Sequence, residues 1–197
     1  LGIGLGLVAA LARNTRVDRV ATVIATIILV VPVFLFSDLA ATHLVNKWHL
    51  VPPGWESWRA RIVPPLVLGL APAGYIARLM RAAVVETLEQ DYVRTARAKG
   101  LYSDRIIWRH VVPNSLVPFL SAAVPTLALL VTGAFFVESA FGIPGAADYY
   151  LNATLNRDYP MVMGLTVALA VLVIFANLIA DFVAVLLDRR LVEKRVA

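Results

Sequence analysis

The residues equipped to bind a partner are concentrated in one stretch, Asp91 to Pro118, DYVRTARAKGLYSDRIIWRHVVPNSLVP. It holds Arg94, Arg97, Lys99, Arg105 and Arg109 against only Asp91 and Asp104. Thr95, Ala96 and Ala98 are interspersed among these cations, behind one aromatic, Tyr92. Small side chains admit another surface close to the backbone, and guanidinium groups at its rim pair with carboxylates or carbonyls. This is the chemistry of docking, not of bond making. The sequence has no cysteine and hence no thiolate site. It also has no HExxH, no catalytic Ser/His pairing and no GxxxxGK[ST] phosphate loop.

The segments that position this loop are apolar. Hydrophobic residues make up 60% of the 197 and charged ones 16%, with a mean hydropathy of +0.78, which argues against an ordinary soluble domain. Charge-poor runs of membrane-spanning length support that reading and predict an all-α integral membrane protein. The spans are expected at about 20–45, 62–85, 117–138 and 159–187, with a partial span over 1–12 and the polar loop over about 86–116. The run from Leu1 to Ala12 would be about 18 Å long as a helix, against a bilayer core of roughly 30 Å. It is therefore read as a cut span, with N-terminal span(s) missing. A signal peptide fits poorly, because no basic region precedes the run. Pro32 is expected to kink the second span, Pro64 and Pro65 to open the third, and Pro72 to bend it. Trp48, Trp55 and Trp58 cluster by Pro52-Pro53-Gly54, as suits a membrane–water boundary.

Placing the turn 13–19, the region 78–116 and the C-terminal tail on one side collects 14 of the 18 Lys and Arg. The positive-inside rule makes that side cytoplasmic, with the C-terminus inside. The net charge of +5 is then a product of topology. Membrane lipid, not nucleic acid, is the expected surrounding.

Within the loop, Gly100 separates two helical patterns. It can take a positive φ and stop the first, Tyr92–Lys99. Ser103 is the expected N-cap of a second helix to about Val111, and Pro113 is expected to break or bend the chain before the next span. The order of residues resembles the cytoplasmic loop of ABC-importer permeases: a small-residue helix, a glycine, then about nine residues to a hydrophobic-x-hydrophobic-Pro ending. Arg94-Thr95-Ala96 stands where that family often has Glu-Ala-Ala. Gly100 is the glycine, and His110-Val111-Val112-Pro113 closes the pattern. The missing Glu and first Ala point to the peptide and nickel branch, as does Tyr92-Val93-Arg94-Thr95-Ala96-Arg97-Ala98-Lys99-Gly100. Phe141-Gly142-Ile143-Pro144-Gly145 and Asn156-Arg157-Asp158-Tyr159-Pro160 extend the likeness to the B-type permease subunit of oligopeptide and dipeptide importers.

The resemblance implies a multi-span helical permease fold of the type I importer kind, in the bacterial cytoplasmic membrane. It implies a second, C-type permease as heterodimer partner, two cytoplasmic ATPases and an extracytoplasmic substrate-binding protein. ATP and Mg would be bound by the ATPases, with no cofactor in this chain, which is not itself an enzyme. Tyr92, Arg94, Thr95, Ala96, Arg97, Ala98, Lys99 and Gly100 would form the coupling helix that seats in an ATPase cleft. Nickel chelates or haem remain alternative cargoes to peptides.

Ionisable groups near span ends are candidate path residues. Asp38, close to His43, and Glu138 are expected toward the outer side, Glu138 also being a candidate for docking the binding protein or the permease partner. Thr126 and Thr132 are candidate path-facing hydroxyls, although a threonine can bond its own helix. Asn177 and Asp181 are expected to bond between helices. A proton-coupled secondary transporter would favour a mid-span carboxylate, and every acidic residue here is expected near a helix end. An Asp38/Asp181 protease dyad is excluded by placement at opposite membrane faces.

Overall fold

The apolar stretches form ten α-helices among residues 1–124, 126 and 129–187, the residues that the computed structural model describes. The basic tail beyond Leu187 lies outside them. In chain order the helices are α1 (Gly2–Leu11), α2 (Arg16–Val30), α3 (Val33–Ala40), α4 (Val63–Leu88), α5 (Asp91–Ala98), α6 (Ser103–Ile106), α7 (Val112–Ala123), α8 (Leu129–Phe141), α9 (Ala146–Leu155) and α10 (Tyr159–Leu187). Two of the described helices, α4 and α10, are single pieces long and apolar enough to cross a membrane. Up to four spans result if each of two bent helix pairs counts as one.

The breaks have local causes. Pro32 does not kink a continuous helix. It is the N-cap of α3, with extended backbone (φ −62°, ψ 145°), so the stretch expected as one helix over 20–45 is two. Lacking an amide hydrogen, a proline cannot continue the ladder of the preceding turn. Pro72, by contrast, lies inside α4. Within the span expected at 117–138, α7 reaches Ala123 and α8 begins at Leu129. Ser103 is the first residue of α6 instead of its cap; the N-cap is Tyr102, without a side-chain cap bond. Nor does this helix end at Val111. A wide π-turn, Ile107–Val111, carries it into α7, with the Val112 N–H reaching back to the Ile107 carbonyl. Pro113 sits just beyond that wide turn.

The described residues form two compact units, the first drawn from residues 1–29, 73–126 and those from 180 on, the second from residues 30–72 and 127–179. The core of the first unit joins Ala10 of α1, Met80 and Val84 of α4, Val93 and Ala96 of α5, Ile106 of α6, Val111, and Phe119 of α7. Two helices approach α4 so closely that only glycine fits at the crossing. A Cβ on Gly6 would overlap the Ala77 carbonyl oxygen, and one on Gly74 would lie 2.6 Å from the Ala25 carbonyl oxygen of α2. In the second unit, α3 packs on α8, and Ala41, Val67, Val137 and Phe141 form the core. Helices α8 and α9 are bent by 72° at the FGIPG turn. Helix α10 exposes Val167, Leu172, Phe175, Leu178 and Phe182, an apolar face that suits a membrane span.

Candidate functional site

Helix α5 carries the candidate docking residues, and its two faces differ. Val93 is wholly buried and Ala96 is 9% exposed, both within the first unit's core. Tyr92, Arg94, Thr95, Arg97, Ala98, Lys99 and Gly100 are exposed. Seven of the eight expected coupling residues are thus available to a partner. Ala96 is turned inward, where its small side chain lets α5 lie close to α4 and α6. The outer face is cationic: Arg94 approaches Asp91 at 3.7 Å, and among the described residues Arg97 and Lys99 have no ion pair.

The end of α5 is closed by a Schellman arrangement. Gly100 takes φ +75°, its N–H donates to the Arg97 carbonyl at 2.9 Å, and the Leu101 N–H reaches the Ala96 carbonyl at 3.4 Å. Leu101 packs against the core beside Ala96, the apolar contact that accompanies this motif. Gly100 therefore stops the helix as expected, and it also anchors the exit of the loop.

Two residues not singled out in the sequence flank this element. Asp18 at the start of α2 receives a two-point bond from Arg81 of α4, Nε to Oδ1 at 2.7 Å and Nη2 to Oδ2 at 2.8 Å. The Asn14 N–H and the Thr22 hydroxyl also donate to the Asp18 carboxylate, at 3.0 and 3.3 Å. Its side chain is 6% exposed, that of Arg81 32%. The available signal was Thr15-x-x-Asp18 ahead of an apolar run, a capping-box pattern. That pattern would have flagged a helix start without naming Arg81. Arg13 and Glu89 form a second, exposed pair between the same turn and the end of α4.

The path candidates are distributed over both units. Thr126 belongs to the first unit and donates to the Ala123 carbonyl at 2.7 Å, bonding its own backbone. Asp38, Thr132 and Glu138 belong to the second. Asp38 is exposed on α3, while His43 Nδ1 lies 2.9 Å from the Leu39 carbonyl and its ring meets Trp48 edge-on. Thr132 lines a cavity of about 260 Å³ with Phe135, Phe136, Tyr150, Thr166 and Leu169. Asn177 Nδ2 donates within α10, to the Val173 carbonyl at 3.0 Å.

Glu138 points back into its own hairpin. Its Oε2 accepts the Ala147 N–H at 3.2 Å, so a carboxylate from α8 caps the N-terminus of α9, where a negative charge also suits the helix dipole. Gly145 leaves room for that carboxylate, since a Cβ there would overlap it. Glu138→Ala is expected to remove about 1 kcal/mol. The melting temperature of the purified complex should fall by about 2–4 °C, with Glu138→Gln losing less than half of that. An unchanged value for the alanine variant would refute the cap.

A polytopic, all-helical chain with a basic, glycine-terminated helix docked in the loop after α4 defines a membrane permease of the ABC-importer fold. A chain of the inward-facing MetNI methionine ABC transporter has this fold. It superposes with a TM-score of 0.72 at 18% identity, covering 95% of this chain and 86% of that one. The chain belongs to the binding-protein-dependent transport system inner membrane component family, which matches residues 2–193. It is therefore an integral membrane protein of the inner-membrane class. Among curated proteins it is 37% identical over 191 residues to the dipeptide transport system permease protein DppB of Bacillus subtilis, covering 96% of this chain and 62% of that protein. It is 35% identical over 194 residues to the oligopeptide transport system permease protein OppB of Escherichia coli K12, covering 97% and 63%. The chain thus spans less than two thirds of the length of these relatives.

Proposed function

We propose that this chain is the membrane-embedded part of a permease subunit in an ATP-driven importer of di- or oligopeptides. The observation that carries the reading is the two-faced α5: an apolar side sunk in the core, a basic side free for a partner, and a glycine-locked end. A helix so mounted moves as one piece with α4 and α6 when pushed, because a close-packed core transmits displacement instead of absorbing it. Tyr92, Arg94, Thr95, Arg97, Ala98 and Lys99 would seat in a cytoplasmic ATPase. Closure of two ATPases on ATP would then tilt the helices on either side, opening the path alternately. The names of the relatives support a peptide cargo. A second permease, two ATPases that hold ATP and Mg, and an external binding protein complete the proposed assembly, with the C-terminus of this chain cytoplasmic.

The test is uptake by proteoliposomes containing the complete complex with the full-length permease. Radiolabelled tripeptide is expected to accumulate only with ATP and binding protein present. Accumulation of a nickel chelate or haem in place of peptide would overturn the cargo. Uptake driven by a proton gradient without ATP would overturn the mechanism in favour of a secondary transporter.

A further inference from the structure

Three features of the first unit concern how motion of α5 would spread. Val93 and Ala96 bind α5 to Met80 and Val84 on the C-terminal half of α4. Gly6 holds α1 against the same half of α4, and Gly74, near the middle of α4, holds α2, each at backbone contact. At the loop end of this crossing, the Arg81 fork grips Asp18 at two points across 63 residues of sequence. A single-point contact fixes a distance. A planar two-point fork also fixes rotation. The contact at Gly74 sets how closely α2 and α4 approach.

We propose that the Asp18–Arg81 pair is a positioning latch that makes α2 turn with α4 when α5 is displaced. Conformational drive then reaches α2, which is not next to the loop in sequence. This rests on the reading of α5 as the coupling helix. The pair also suits such a role energetically. Asp18 is nearly enclosed, so withdrawing Arg81 leaves a buried, uncompensated carboxylate, which makes separation of the two helices costly. The exposed Arg13–Glu89 pair adds little, as solvent-exposed ion pairs do.

The experiment uses the complete reconstituted complex and reads tripeptide moved per ATP hydrolysed together with the melting temperature. The double variant Asp18→Asn/Arg81→Gln keeps polar groups at both positions without their charges. It is expected to lower the transport ratio roughly fivefold at a melting temperature within about 2 °C of native. The exchange Asp18→Arg/Arg81→Asp is expected to recover at least half of the loss. Arg81→Lys, which keeps charge but not the fork, should lower the ratio about twofold, and it carries the test if the neutral pair fails to assemble. A native ratio in the neutral pair, or in Arg81→Lys, overturns the latch. So does a parallel fall of ratio and melting temperature that the exchange leaves uncorrected. Gly100→Pro in the same assay separates the two readings. If it leaves the ratio native, the coupling-helix reading fails; if it lowers the ratio while the neutral pair does not, the latch alone fails.

Discussion

On the proposed importer function, Gly100→Pro is expected to reduce ATP-driven peptide uptake at least tenfold while the permease still inserts in the membrane. Gly100 sits at φ +75°, and a proline ring holds φ near −65°, so the chain cannot leave α5 in its present direction. The substitution also deletes the N–H that bonds the Arg97 carbonyl at 2.9 Å. Together these defects cost about 3 kcal/mol or more, by analogy with proline in a helix interior. That is enough to unwind the last turn of a helix only eight residues long. Gly100→Ala tests the mechanism more gently, because a left-handed alanine costs about 1–2 kcal/mol and retains the N–H. Uptake assays in proteoliposomes should rank the variants native, Ala, Pro. Native uptake in the proline variant would show that the end of α5 has no part in coupling.

Tryptophan at position 96 and tryptophan at position 98 should fail in different ways. Ala96 is packed among Val93, Leu101 and the α4 residues, so an indole there overfills a close-packed core and costs about 1–3 kcal/mol or more. The expected result is a lower melting temperature and poor yield of the complex. Ala98 is exposed on the basic face, where a substitution usually changes stability by about 0.5 kcal/mol or less. Ala98→Trp should therefore keep the native melting temperature but release the ATPase during purification, because the indole blocks close approach. Retention of the ATPase at native stoichiometry with native uptake would remove the exposed face of α5 from the interface.

The contrast between Ala96 and Ala98 shows where sequence reasoning stopped. Both are small residues in a basic segment, and alanine suits a tight interface and a tight core equally well. Val93 was the available discriminator, since an inward β-branched residue sets the helix phase and places position 96 on the same side. Glu138 is a similar case. Its place at the end of a charge-free run was legible, but the bond to Ala147 required the chain to turn back through the FGIPG segment.

What the residues determined by themselves was the membrane class, the ABC-permease resemblance and the helix–glycine–helix build of the central loop. The membrane class and the build of the loop follow from composition and from backbone chemistry that acts within a few residues: charge-free length, a glycine free to take positive φ, and prolines without an amide hydrogen; the resemblance rests on the order of residues in the quoted motifs. Tertiary structure alone decided that α5 turns Ala96 inward, that Gly6 and Gly74 lie at backbone contact with neighbours, and that Arg81 closes on Asp18. Each depends on the register in which one helix meets another. That register comes from the summed packing of many side chains distant in sequence, and no local pattern encodes it.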